Sequence, residues 1–140
     1  MKNIFTSILF FLIFPTFLFS EVLNGTYETA KSEDSGGYLH VSFSNCEKQQ
    51  ELTCGTIKEA FFSDGTQNKE YENIGKLLVW DMEFNGNGKY KNGKIWDPSE
   101  NNEDGSPKVY NSKMSLNSNI LKVEGCILFF CKGQNWKKAN

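Results

Sequence analysis

The feature that most restricts the fold is a repeated alternation of apolar and polar residues. In residues 39–44 every second position is apolar, and in residues 78–84 Leu78, Trp80, Met82 and Phe84 share one side. A period of two is the pattern of a strand with one buried face. Comparable runs lie at 25–30, 52–60, 89–96, 108–116, 119–125 and 134–139. The sequence therefore predicts eight strands and no regular helix after residue 20.

The connections between these runs predict how the strands are arranged. Glycine, asparagine and aspartate recur in them, at 35–37, 64–65, 85–88, 92–93, 104–107 and 117–119. Short turns join antiparallel neighbours, and closing the sheet removes its exposed edges. We predict an all-β fold, an antiparallel up-and-down barrel of about eight strands, with a β-sandwich as the alternative. Residues 61–73 are predicted to form a long loop or one helical turn, and 97–107 an acidic loop that begins where a strand ends.

The first 20 residues resemble an export signal. Lys2 precedes an apolar run from 4 to 19, and Ser20 provides a small residue before a polar continuation. We predict a helical signal peptide over 1–20, cleavage after Ser20, and a single domain over 21–140. An uncleaved anchor is the alternative, although the run is short for a span of about 20 residues and Pro15 interrupts it. We expect an exported protein, periplasmic or secreted, with no membrane partner after cleavage.

The charge pattern argues against several functional classes. Lys2 is the only charged residue before Glu21, so the mature part carries 14 lysines, no arginine, and 17 acidic residues. Nucleic-acid binding needs a basic patch and usually arginine, so we expect no nucleic-acid partner. The sequence lacks the glycine-rich nucleotide motif, the serine nucleophile elbow and the zinc-protease motif. We therefore expect no cofactor, and we expect a monomer.

The four cysteines predict two disulfides. Cys46, Cys54, Cys126 and Cys131 all lie in the predicted mature part, and an even number suits an oxidising compartment. Of the three possible pairings we favour the two local ones, because each pair flanks a short turn-like stretch. The spacings do not suit a zinc site. His40 is the only histidine, and we expect it on the solvent-facing side of its strand.

Several motifs together resemble one bacterial family. They are Cys46 with Leu-Thr-Cys-Gly-Thr-Ile at 52–57, Gly-Lys-Ile-Trp-Asp-Pro at 93–98, Gly105, Tyr110, Leu116, Leu-Lys-Val at 121–123, Gly125-Cys126, and Gln-Asn-Trp-Lys-Lys at 134–138. The chain resembles the family called domain of unknown function 2147 (DUF2147). This resemblance implies a small exported protein, typically periplasmic, without an established activity. The chain differs from the family pattern at Trp96, Lys138 and the longer segment 99–104. The opening at 25–27 is similar to that of lipocalin/calycin-like barrels, with Tyr27 where tryptophan is usual.

Two functional hypotheses follow. The first is a binding or envelope-interaction module that holds a small apolar ligand or docks on an envelope protein, with Trp80, Met82, Phe84 and Tyr110 as lining candidates. The alternative is a weak or unrecognised hydrolase acting on cell-envelope material, with Asp97 and Tyr110 at the barrel mouth. An internal cavity above roughly 300 Å³ would favour the module, and a polar cleft near Asp97 the hydrolase. A filled barrel without that cleft would leave docking through the surface.

Overall fold

The structure is a computed structural model that describes residues 11–15 and 20–140. Most of the predicted signal peptide, residues 1–10 and 16–19, lies outside this part of the chain. Within it, no helix has the length and hydropathy needed to cross a membrane.

Residues 25–138 form a closed antiparallel barrel. Each strand pairs with the next, and the last strand pairs with the first through Tyr27–Lys138 and Glu28–Lys137. The strands are β1 Gly25–Glu28, β2 Tyr38–Asn45, β3 Thr53–Phe61, β4 Leu77–Phe84, β5 Lys89–Asn101, β6 Pro107–Asn117, β7 Ile120–Ile127 and β8 Phe130–Lys138. The predicted all-β, up-and-down barrel of eight strands is confirmed.

The barrel interior is filled by side chains from every strand. The buried apolar cluster consists of Leu23, Tyr27, Val41, Phe43, Ile57, Leu78, Val79, Met82, Tyr90, Met114, Leu121, Val123 and Trp136. Phe43 packs edge-on against Tyr27 and tilts towards Trp136, with ring centroids 5.8 and 6.2 Å apart. The interior therefore works as a packed core.

The up-and-down order gives the barrel two distinct ends. We call the end with the connections 29–37, 62–76, 102–106 and 128–129 the upper end, and the opposite one the lower end. The segment before β1 closes the lower end: the Leu23 amide donates to Thr53 Oγ1 at 3.0 Å, and the Leu23 side chain is buried. Ser20 Oγ donates to the Glu51 carbonyl oxygen at 2.6 Å.

The alternation predicted for β4 fails at Trp80. Register shifts opposite β3 and a φ of 57° at Asp81 interrupt the strand. As a result Val79, predicted to face solvent, is fully buried, while Trp80 lies on the outer wall beside exposed Leu77. Bulges shift the side-chain alternation by one position, which a period of two cannot anticipate.

The predicted loop 97–107 is mostly strand. β5 continues to Asn101, so the connection to β6 shortens to residues 102–106. A register shift between Asp97 and Asn101 accommodates Pro98, since proline in a sheet needs a bulge or an edge. The other irregular stretch, 62–76, is a loop of turns without a helix, and Gln67 in it bridges to Phe61.

Candidate functional site

Within residues 20–140, the most exposed apolar surface is the end of the β7–β8 hairpin. We call its four apolar residues the apolar tip: Ile127, Leu128, Phe129 and Phe130, whose exposures are 60, 84, 97 and 84 %. Immediately below it, Cys126 and Cys131 are a registered pair joined by a disulfide. Isolated exposed apolar residues are common, whereas a contiguous exposed group marks a contact surface.

The turn inside the apolar tip uses residues that turn geometry disfavours. Leu128 has a φ of 53°, a left-handed conformation that costs a side chain with a Cβ about 1 kcal/mol or more. A two-residue turn with positive φ at its first position prefers glycine there. At the other described connections, the positive φ angles fall on Gly36, Gly65, Gly75, Gly86, Asn87, Gly88, Gly105 and Ser118. Folding therefore does not account for the apolar residues of this turn.

Charge is sparse around the apolar tip. Between Glu124 and Gln134, Lys132 is the single ionisable side chain. The pKa of the Glu100 carboxyl is lowered, chiefly by the hydrogen bond that it accepts from Lys108. The positive charge of Lys132 makes a smaller contribution in the same direction. The tip is thus apolar, with one lysine at its base and a charged pair on the neighbouring β5–β6 hairpin.

Asp97 and Tyr110, the candidate catalytic residues, have separate partners. Asp97 Oδ1 accepts hydrogen bonds from the Ser99 amide at 2.9 Å and from Ser99 Oγ at 2.6 Å. The Tyr110 hydroxyl donates to Glu100 Oε2 at 3.0 Å, and Lys108 Nζ lies 3.0 Å from the same oxygen. Glu100, followed by Tyr110, raises the pKa of Lys108. The Asp97 carboxylate thus satisfies local groups of Ser99 within β5, and no hydrogen bond among the described residues joins it to Tyr110.

Of the four lining candidates, Trp80 lines a cleft, and that cleft lies on the outer wall. This open groove of about 400 Å³ is formed by Lys76, Leu77, Trp80, Trp96, Pro107 and Val109. Lys76 Nζ lies 5.9 Å from the Trp96 ring centroid, and the buried Trp96 Nε1 has no hydrogen-bond partner among the described residues. Met82 is fully buried and Phe84 packs against Tyr90, so both belong to the interior.

A second open cleft is polar. It measures about 410 Å³ and is lined by Lys91, Asn92, Gly93, Asn111, Ser112, Lys113 and Cys126. Ser112 is paired in register with Gly93 on one side and Gly125 on the other, and its buried hydroxyl has no hydrogen-bond partner within the described part of the chain. Asp97 is not among the residues that line this cleft.

The remaining candidate groups have structural explanations. The Cys46 and Cys54 sulfurs lie within 4.8 Å of an Asp81 oxygen, but the two sulfurs are bonded to each other and offer no thiolate for a metal. His40 is half-buried on its strand among charged and aromatic neighbours. It lies 3.3 Å from Glu28 and 3.8 Å from Glu59, and Phe61 packs against it at 4.5 Å between centroids.

The comparison with known families agrees with this geometry. Residues 25–138 match the model described as "uncharacterized protein conserved in bacteria (DUF2147)". The chain belongs to the DUF2147 family. The match includes every strand of the barrel, both disulfides and the apolar tip, and it confirms the resemblance seen in the sequence motifs. No curated protein and no solved structure matches the chain.

Sequence reasoning missed the apolar tip. The signal was present: residues 127–130 place four apolar side chains between two cysteines that we expected to be bonded. From the sequence this segment is predicted only as a short turn-like stretch between the two cysteines, with no statement about its exposure. Their exposure depends on how far β7 and β8 extend beyond the core.

Proposed function

We propose that this DUF2147 protein is an exported envelope-interaction module that makes contact through its apolar tip. One observation carries the proposal, namely four contiguous apolar side chains exposed at the end of a disulfide-clipped hairpin. Keeping such a surface in water is unfavourable, so its retention points to a partner that covers it.

The packed interior, the partners of Asp97 and Tyr110, and the two disulfides all bear on this proposal. The packed interior favours docking on the outside over enclosure of a small apolar ligand. The alternative, a hydrolase acting on cell-envelope material, remains a proposal with weaker support, because Asp97 and Tyr110 are engaged by Ser99 and Glu100. The two disulfides support an oxidising location, in agreement with the predicted signal peptide.

The test is fractionation of bacterial cells that express the full chain. We expect the wild-type protein to sediment with the envelope and its mass to show a mature start at Glu21. The double variant Leu128→Gly with Phe129→Ser suits the turn but removes half of the apolar tip, and we expect most of it in the soluble exported fraction. The control Ile120→Thr changes an exposed apolar residue at the lower end and should fractionate as wild type. Envelope association that is unchanged by the tip substitutions would refute the proposal.

A further inference from the structure

We infer that the partner of the apolar tip is a phospholipid bilayer, into whose interfacial layer the tip inserts. This inference rests on the proposed function and specifies the contacted surface. It departs from the sequence-based expectation that the mature protein has no membrane partner. The reason is the apolar tip, which that expectation did not take into account.

The distribution of apolar surface around the tip favours lipid over a protein partner. Ile127 and Phe130 are registered partners and share one side of the hairpin, while Leu128 and Phe129 extend the turn beyond them. All four side chains are exposed and no polar side chain interrupts residues 127–130, so the tip has no polar rim of its own. A protein interface typically has an apolar centre and a polar rim on one face. A hydrocarbon layer instead surrounds whatever enters it.

The backbone of the tip suits an apolar medium. Unpaired peptide groups are costly in lipid, and a two-residue turn above a paired position leaves few of them. The Cys126–Cys131 disulfide holds the strands together at the base. The tip extends two residues beyond the disulfide on each strand, a length of about 7 Å. This length lies within the depth of roughly 5–10 Å at which amphipathic elements lie in the membrane interface.

The charges near the tip are those of a shallow insertion. Lys132 follows the second cysteine, and its long stem lets the ammonium group reach lipid phosphates while the tip is buried. The β5–β6 hairpin at the same end carries Glu103 and Asp104. These carboxylates oppose the attraction of Lys132 to anionic lipid, so we expect binding to neutral bilayers and no gain on anionic ones.

The test is flotation with vesicles of phosphatidylcholine, and of phosphatidylethanolamine mixed with phosphatidylglycerol. The chain used is 20–140, which contains all eight strands and Leu23. We expect both vesicle types to bind the wild type, and Leu128→Gly with Phe129→Ser to lower partitioning about tenfold or more. Phe129→Leu and Ile120→Thr should retain binding. Circular dichroism and non-reducing mass analysis establish that each variant keeps its fold and both disulfides.

A reporter variant tests lipid contact without weakening the tip. Phe129→Trp should shift tryptophan emission to the blue on vesicle addition, and brominated lipids should quench it. Tryptophans at 80, 96 and 136 are present in both proteins, so the difference from wild type isolates the tip. Absence of both signals while the protein is bound to vesicles would overturn the inference.

The outcomes separate this inference from the function on which it rests. Tip-dependent association with native envelopes but not with either vesicle overturns the bilayer inference and leaves the interaction module with a protein partner. Vesicle binding that is unaffected by the tip substitutions also overturns it. Failure of the tip substitutions to alter either envelope or vesicle association overturns both proposals.

Discussion

At the residue scale, Tyr90 shows how the barrel changes the chemistry of a side chain. Its ring is buried in the core on β5, against Phe84. Burial, followed by the nearby Glu21 carboxylate and Tyr27, raises the pKa of Tyr90 to about 12. The folded protein therefore keeps this phenol neutral in a pH range where an unfolded chain, with a tyrosine pKa of about 10, ionises it.

This shift predicts an alkaline loss of stability. Because its pKa is raised in the folded state, Tyr90 contributes about 2–3 kcal/mol to the free energy of unfolding below about pH 10. This contribution is lost as the pH rises through about 12. Urea unfolding at a series of pH values measures the loss. Tyr90→Phe should flatten the alkaline fall. An equal fall in Tyr90→Phe would show that other groups are responsible.

At the scale of elements, the two disulfides differ in their surroundings. Cys46 and Cys54 are buried at the lower end, whereas Cys131 is exposed at the upper end, beside the apolar tip. Both are local bonds, as the sequence predicted: Cys46, directly after β2, is bonded to Cys54 on β3, and Cys126 on β7 to Cys131 on β8. Six registered pairs, from Ile120–Lys137 to Gly125–Lys132, hold the β7–β8 hairpin below its disulfide.

We predict that a thiol reductant opens Cys126–Cys131 before Cys46–Cys54 in the folded protein, because exchange requires access to sulfur. Alkylation followed by mass analysis over a reduction time course identifies the order. The barrel should remain folded after the first opening, because the pairs below that disulfide persist. Simultaneous opening of the two bonds with loss of the barrel signal by circular dichroism would contradict the prediction.

At the scale of the whole molecule, the barrel depends on a residue that belongs to no strand. Leu23 is buried at the lower end, and its amide is held by Thr53. We predict that Leu23→Ala lowers the free energy of unfolding by about 2–4 kcal/mol, because it leaves a cavity where the interior is otherwise filled. Urea unfolding measures the change. The adjacent, half-buried Val22→Ala is the control, and an equally large loss there would argue against a specific role for Leu23.

The amount that could be predicted from sequence differed between the fold and the site. Strand order and the local cysteine pairing depend on neighbours within a few residues, so pattern and turn chemistry predicted them. The side faced by Trp80 and the strand character of residues 98–101 depend on bulges set by neighbouring strands. Ligand lining by Trp80, Met82, Phe84 and Tyr110, and catalysis by Asp97 and Tyr110, remain predictions.

By itself the sequence determined that this DUF2147 chain forms about eight antiparallel strands joined by turns, because alternation and turn residues act locally, and the structure decided for the closed barrel over the sandwich. Tertiary structure alone decided that the interior is full and that residues 127–130 extend beyond it. The reason is that burial is a property of the assembled barrel. The sequence does not distinguish Phe43 from Phe129, because both are apolar. The lengths of the paired strands place Phe43 in the core and Phe129 in solvent.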